Sequence, residues 1–191
     1  MVSQFISPDK VRLLGALKFD FPEGIHAIGR LDSNSEGLLI LTTNKKVTKL
    51  LFEGSMAHKR KYLIQVRNVM SEATLLQLKN GVYIPIRGGV DYLAKPYDVE
   101  IVAKPDNIEE LDKNYRHDIP QTWLLMTLTE GKFHQVRKMV QAVNHPCKRL
   151  IRLSIEDIEL GDLPAGEVIE MNEQDFFEKL KIEYSPSSIS K

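Results

Sequence analysis

Residues 29–41 of this chain read Gly-Arg-Leu-Asp-Ser-Asn-Ser-Glu-Gly-Leu-Leu-Ile-Leu, a charged turn followed by an aliphatic run. The run 38–41 is short and bounded by turn residues, which predicts a fully buried strand within 37–43. Because a carboxylate is costly to bury unpaired, we expect Asp32 at a rim where strand and loop meet, beside a cationic partner. Catalytic side chains are often found on loops at such rims.

Composition excludes several classes of protein. A chain of 191 residues with 27% charged residues is typical of a globular protein that can bury its own core. Cys147 is the only cysteine, which excludes an internal disulfide and a cysteine-based zinc site, and the five histidines lack metal-ligand spacing. The sequence contains neither a signal peptide nor a membrane-spanning apolar run, so we expect a cytoplasmic protein with no bound metal and no membrane partner.

The charges are unevenly distributed although the formal net charge is zero. Basic residues dominate segments 45–67 and 132–152, whereas acidic residues crowd the chain after residue 155. This asymmetry suggests a basic face for phosphates with the acidic end held away from it. Charge clusters alone favour a plainer interpretation, two solvated helix faces.

The periodicity of apolar residues indicates an α+β chain in which antiparallel strands dominate. Predicted strands are 37–43, 61–66, several short ones within 82–103, 122–129 and 147–155; predicted helices run from a Ser71 cap to Asn80, over 133–143, and from an Asn172 cap onward. Residues 105–120 are expected to form a long surface loop and 184–191 a disordered tail. No repeat or linker divides the rest, so 1–183 are expected to form a single domain.

Three elements far apart in sequence carry groups suited to chemistry. They are Asp32 in its turn, Lys61-Tyr62 at the head of a strand, and residues 131–139, Gly-Lys-Phe-His-Gln-Val-Arg-Lys-Met, where a strand turns into a helix. Singly, each has an ordinary explanation as a turn cap, a half-buried sheet aromatic or a solvated helix residue. Together, in this order and spacing, they resemble the RsuA/RluB/RluE/RluF family of ribosomal RNA pseudouridine synthases.

The resemblance covers residues 1 to about 170 and includes that family's closing motifs at 150–153 and 163–167. It is strongest to the RluE type, which lacks an N-terminal S4-like domain. It implies the pseudouridine synthase catalytic fold, a mixed, mainly antiparallel sheet flanked by helices, with two lobes around a central cleft. The strand with which relatives usually begin is absent, so the first strand is expected to be missing.

The resemblance also implies an isomerase, an intramolecular transferase, that converts a specific uridine of large-subunit ribosomal RNA to pseudouridine without a cofactor. Its partner would be that RNA or a ribosomal assembly intermediate, and a monomer is expected. The target base must flip out of its stack to be reached.

By the same resemblance, Asp32 is the nucleophile, Arg137 holds it through a fork-shaped ion pair, and Tyr62 packs on the flipped base and is a candidate for proton removal at C5. Whether Asp32 attacks the sugar, attacks the base or removes a sugar proton is left open. Arg30 is expected to hold the RNA that the base has left. Further phosphate contacts are expected from Lys59, Arg60, Lys61, Lys132 and Lys138. His134 and Gln135 match the motif and are interpreted as framework for the turn.

Two other functions fit parts of the pattern. A nucleic-acid N-glycosylase or hydrolase could use Asp32 and Glu36 as an acid/base pair, and it would release free uracil. A non-catalytic RNA-binding protein could use the basic segments alone, and Asp32→Asn would then keep full function.

Overall fold

The computed structural model describes residues 1–52, 56–106, 108 and 119–183. Its elements, in chain order, are a 3-10 helix η1 (Leu14–Ala16), β1 (His26–Ile28), β2 (Glu36–Gly37), β3 (Ile40–Thr42), α1 (Lys46–Phe52), β4 (Arg60–Arg67), α2 (Glu72–Asn80), β5 (Val82–Pro85), β6 (Asp91–Ala94), β7 (Asp98–Val102), β8 (Gln121–Leu128), α3 (Gln135–Ala142), β9 (Cys147–Ile155), β10 (Ile158–Glu159) and α4 (Glu173–Lys179). The order of helices and strands confirms the predicted α+β class.

The main sheet has the strand order β10-β9-β4-β8-β7, and all these neighbours are antiparallel. The short strand β2 also belongs to this sheet and pairs in parallel with β9. β4 alternates in polarity, and its even-numbered residues from 62 onward face the larger core while Leu63 faces the other side. The antiparallel character of the sheet is therefore as predicted.

Two helix starts form at the residues that the sequence indicates. The Ser71 hydroxyl accepts a hydrogen bond from the Thr74 amide at 3.2 Å and begins α2, which ends at Gly81 with a φ of +102°. The Asn172 side chain accepts from the Asp175 amide at 2.9 Å and begins α4. Both caps confirm the sequence prediction.

The helix predicted over 133–143 is shorter at both ends and spans Gln135–Ala142. His134 has a φ of +55°, a left-handed conformation that cannot belong to an α-helix, so the helix begins at the next residue, Gln135. Val136, Met139 and Val140 are buried on its inner face, as the spacing of apolar residues predicts.

Two separate hydrophobic clusters make up most of the core. The larger lies between the sheet and helices α2 and α3, and the second joins β1, β3, α1, β10 and α4. Along β4 and β9, the pair Ile64–Leu150 belongs to the first cluster and Ile155 belongs to the second. Tyr62 and Arg152 are paired between these positions, so they lie at the boundary between the two hydrophobic clusters.

The prediction of one fully buried strand over 37–43 is wrong. The segment forms two short strands, β2 and β3, in which Leu38 and Ile40 are buried but Leu39 and Leu41 are only half-buried. β2 pairs with β9, the Leu38 amide donates to the Arg152 carbonyl at 2.9 Å, and β3 then pairs with β1 in a second sheet. The chain moves from one sheet to another between β2 and β3. Neither sheet therefore buries the whole segment, and Leu39 and Leu41 stay half-buried.

Two predictions fall mainly outside the described residues, the loop at 105–120 and the tail at 184–191. In the described part of the chain, no helix is long and apolar enough to cross a membrane. The assignment of 1–183 to a single catalytic domain stays a prediction.

Candidate active site

The loop that carries Asp32 lies between β1 and β2 and is held at both ends. Near its start, the Ser3 hydroxyl accepts from the Leu31 amide at 3.0 Å and donates to the Leu31 carbonyl at 3.1 Å. At its end, Gly37 has a φ of +100°, and a Cβ there would lie 2.3 Å from the Arg152 carbonyl oxygen. Only glycine permits this approach, so the loop is fixed against β9.

The Asp32 carboxylate is 29% exposed and has cationic or potentially cationic groups on both oxygens. Nε2 of His134 lies 3.3 Å from Oδ1, and Nε of Arg137 lies 4.0 Å from Oδ2. The predicted rim position and cationic partner are therefore both present.

The Arg137 guanidinium does not form the expected fork on the carboxylate. Its Nη2 donates to the Asn34 carbonyl at 2.6 Å and to the Ser35 hydroxyl at 3.1 Å. Its Nε faces Asp32 and has no hydrogen-bond partner within the described ranges. Nη2 is instead used on the Asn34 carbonyl and the Ser35 hydroxyl, so Arg137 contacts the carboxylate and also holds the turn that carries it.

His134 is placed by a hydrogen-bonded network in the turn before α3. The Lys132 amide donates to the Gln135 side chain at 2.8 Å, and that side chain donates to Glu130 at 2.7 Å. The Tyr92 hydroxyl also donates to Glu130; this hydrogen bond is the largest cause of a raised Tyr92 pKa, with burial the next. Gln135 is thus framework, as expected.

The interpretation of His134 as framework alone is incomplete, because its ring is the nearer of the two partners of Asp32. A signal for this was available in the sequence. Histidine is enriched among non-glycine residues with a positive φ, and its ring nitrogens can donate to a carboxylate.

Tyr62 and Arg152 form the second half of the site, inside the sheet. The pairing of β4 with β9 shifts register between Lys61 and Tyr62, which brings Tyr62 opposite Arg152. Arg152 is 5% exposed, donates through Nε to the Leu38 carbonyl at 2.8 Å, and lies opposite Tyr62 in the pairing of β4 with β9. Burial lowers the pKa of Arg152, and the interactions with Tyr62 oppose that shift.

Sequence reasoning counted Arg152 as part of a basic surface segment and missed its burial. Its signal is a lone cation within the apolar strand run Leu150-Ile151-Arg152-Leu153. A charge at such a position needs partners inside the protein. Nη2 of Arg152 is buried without a hydrogen-bond partner in the part of the chain described.

The residues expected to bind RNA differ in their surroundings. Arg30, Lys59, Lys61 and Lys132 are exposed. The Lys59 ammonium lies 4.1 Å from the centre of the Tyr97 ring. These exposed cations can reach phosphates without rearrangement.

Arg60 and Lys138 are half-buried and have internal contacts. The Arg60 guanidinium lies 5.6 Å from the Phe52 ring centre, and a Cβ on Gly131 would come within 2.9 Å of it. Nζ of Lys138 donates to the Pro85 carbonyl at 2.6 Å. A phosphate would have to compete with these contacts, and the role of both residues in RNA binding stays a prediction.

Two acidic side chains bind residues of the basic segments 45–67 and 132–152. Glu36 accepts two hydrogen bonds from Arg149, at 2.8 and 2.7 Å. Glu156 accepts from the Lys59 amide at 2.6 Å and lies 3.5 Å from the His58 ring. The separation of acidic and basic residues is therefore incomplete, and Glu36 is committed to Arg149 rather than to an acid/base pair with Asp32.

The comparisons with known proteins identify the family of this chain. A family model described as RNA pseudouridylate synthase matches residues 12–142. The chain is 35% identical over 144 residues to the ribosomal large subunit pseudouridine synthase E of Vibrio parahaemolyticus, covering 75% of this chain and 58% of that protein. It is 30% identical over 165 residues to the protein of the same name from Xanthomonas axonopodis pv. citri, covering 85% and 84% of the two chains.

A solved pseudouridylate synthase structure is similar to 85% of this chain and 63% of its own, with a TM-score of 0.65 and 25% identity. The chain spans just under three fifths of the length of the Vibrio relatives. The family match covers more than half of the chain and contains Asp32, Tyr62 and Arg137. This chain belongs to the RNA pseudouridylate synthase family.

Proposed function

We propose that this protein isomerises a uridine of large-subunit ribosomal RNA to pseudouridine, with Asp32 as the catalytic carboxylate. The observation that carries the proposal is the half-exposed Asp32 carboxylate, which His134 and Arg137 contact from α3 and its preceding turn. The names of the Vibrio and Xanthomonas relatives support the choice of large-subunit ribosomal RNA. The substrate is that RNA, free or in an assembly intermediate, and the protein acts as a monomer.

The reaction breaks the bond between N1 of uracil and C1′ of ribose, turns the base, and joins C5 to C1′. A carboxylate can add to the substrate and hold a covalent intermediate, as a glycosidase nucleophile does, or it can remove a sugar proton. Because the base is retained, neither an activated water nor a second carboxylate is needed. Asp32 serves either route, and the cation of Arg137 stabilises its charged form while holding the loop.

Tyr62 packs against the flipped base and accepts the proton that leaves C5 when the product regains its aromatic ring, while N1 gains a proton. The buried Arg152 cation lies opposite Tyr62 in the pairing of β4 with β9, so the sheet fixes Tyr62 beside a positive charge.

RNA is held by the basic residues around this rim. Arg30 lies two residues before Asp32 and is exposed, so it can occupy the space that the flipped base leaves. Phosphates are contacted by Lys59, Arg60, Lys61, Lys132 and Lys138. These contacts position the RNA strand and do not read its sequence.

The test is a map of pseudouridines in large-subunit ribosomal RNA from cells with and without this gene, followed by incubation of the purified protein with the unmodified RNA. We expect one or a few pseudouridines to disappear with the gene and to be restored by the protein, with no uracil released. Release of free uracil would instead support the glycosylase. An unchanged map and an inactive protein would leave only the non-catalytic RNA-binding function.

A further inference from the structure

Phe133 presents an open aromatic surface at the rim of the proposed active site. The residue is 72% exposed although it lies beside the tightly bonded turn that precedes α3. Single exposed apolar side chains are common on protein surfaces and require no special explanation. Phe133 differs from such side chains because its ring stacks on the ring of His134, which contacts Asp32.

The Phe133 ring is stacked on the His134 ring, with 3.8 Å between ring centres and 18° between their planes. His134 in turn reaches Asp32, with Nε2 at 3.3 Å from the carboxylate. Phe133 is therefore separated from the catalytic carboxylate by a single ring. The left-handed backbone of His134 orients the two rings in this way, since a helical residue there would direct its side chain elsewhere.

The charges next to Phe133 are positive. The Lys138 ammonium lies 5.5 Å from the Phe133 ring centre, and Lys132, the preceding residue, is exposed. A flat aromatic surface flanked by cations matches the two parts of a nucleotide, a base that stacks and a phosphate that carries negative charge. An apolar protein segment would match the ring but would have to desolvate the lysines.

We propose that Phe133 is a stacking platform for an unpaired base that neighbours the flipped uridine in the substrate RNA. This inference rests on the proposed function, because base flipping removes a stacking partner from the neighbouring base and a protein ring can replace it. The platform acts in binding and takes no part in the chemical steps.

The test compares Phe133→Ala, Phe133→Leu and Phe133→Trp with wild type, using an RNA fragment with 2-aminopurine beside the target uridine. Leu76→Ala is the matched control, since Leu76 is 57% exposed on α2, which packs against the far strand β7. If wild type modifies no fragment, the fragment that it binds most tightly is used, so the fluorescence measurement does not depend on turnover.

Wild type and Phe133→Trp should quench 2-aminopurine, whereas Phe133→Ala and Phe133→Leu should not. We expect the alanine variant to raise KM roughly 5- to 100-fold with kcat within about twofold of wild type, the range that base–aromatic stacking corresponds to. Leu76→Ala should behave as wild type.

Equal quenching by Phe133→Ala would overturn the proposal, as would a leucine variant equal to wild type, because leucine is apolar but cannot stack. A fall in kcat with unchanged KM would also overturn it, since Phe133 would then act on His134 and Asp32. These outcomes differ from failure of the proposed function, which is the absence of pseudouridine with the wild-type protein.

Discussion

The two halves of the site are built in different ways. Asp32 is partly exposed on a loop that Ser3 binds at Leu31, and its carboxylate is contacted by His134 and Arg137. Tyr62 and Arg152 lie on adjacent strands, and the register of the sheet brings them together. A loop held by polar contacts can be disturbed by single substitutions, whereas a pair held by sheet register moves only if the sheet does.

This difference suggests a division of work. On the proposed function, the loop half carries the carboxylate that reacts, on a turn that is held at Leu31 and at Gly37. The strand half supplies a fixed surface against which a flipped base can be positioned. Substitutions in the two halves should therefore fail in different ways.

The largest effect is expected at the reactive group. Asp32→Asn should abolish pseudouridine formation, because an amide can neither attack nor carry the negative charge, while RNA binding stays within a few-fold of wild type. Tritium release from RNA labelled at C5 of uridine measures the first, and filter binding the second. Glu36→Gln is the matched control, since it removes an acid four residues away that pairs with Arg149, and it should stay active. An asparagine variant with near wild-type turnover would refute the assignment.

Arg137 should have the next largest effect because it both contacts Asp32 and ties down the loop. Arg137→Ala should cost about 2–5 kcal/mol of transition-state stabilisation, measured from kcat/KM, if it leaves the carboxylate without its cation. Arg137→Lys should recover part of this, because the charge is kept while the hydrogen bonds to Asn34 and Ser35 are lost. Unchanged turnover in the alanine variant would mean that His134 alone supports Asp32.

In the strand half, Arg152→Met should reduce activity and preserve the fold. Removing a buried charge with an unpaired donor can be neutral for the free energy of unfolding, but Tyr62 loses the positive charge opposite it and the Leu38 carbonyl loses a hydrogen bond. We expect transition-state stabilisation, measured from kcat/KM, to fall by about 1.5–3 kcal/mol, the usual value for a hydrogen bond that involves a charged group.

A double-mutant cycle between Arg152→Met and Tyr62→Phe would sharpen this result. If the two residues act through a direct interaction with each other, the double variant should lose little more than the worse single variant. Fully additive losses would show that Arg152 acts through Leu38 and the loop instead.

At the outer end of the loop, Ser3→Ala should have a smaller effect. It removes both hydrogen bonds to Leu31, each worth about 0.5–1.5 kcal/mol. Because the loop can be held by its other contacts, we expect a few-fold loss in kcat and a modest fall in melting temperature. Ser3→Thr keeps the hydroxyl and serves as the control; equal loss in both variants would point to packing rather than hydrogen bonding.

The same contrast explains which parts could be predicted from sequence. Local signals located the caps at Ser71 and Asn172, and the motif located Asp32 and its cation Arg137. Contacts between distant strands could not be found in this way. The pairing of Tyr62 with Arg152 depends on a register shift in β4–β9, and no local pattern encodes a shift between strands 90 residues apart.

The error at 37–43 has a similar origin. The aliphatic run predicts burial of a whole strand, but Gly37 has to press against β9, after which the chain leaves for β1. The order of apolar residues along the chain predicts that they are buried. It does not show which of two sheets each residue will join. The fork expected on Asp32 failed for the same reason, because Asn34 and Ser35 compete for the donors of Arg137.

The smallest effect should be seen at Cys147, which reports the charge of Arg137 without any RNA. Burial raises the pKa of this thiol, and the Arg137 cation acts in the opposite direction by stabilising the thiolate. Removing the cation should raise the pKa further, so that less thiolate is present at a given pH and alkylation slows.

Iodoacetamide should therefore modify Cys147 in Arg137→Met a few-fold more slowly than in Arg137→Lys, and the rate of modification should rise at higher pH. The chain has one cysteine, so the label is unambiguous, and in denaturant both variants should react alike. Equal rates in the folded proteins would place the charge of residue 137 too far from β9 for Arg137 to connect the loop half of the site with the strand half.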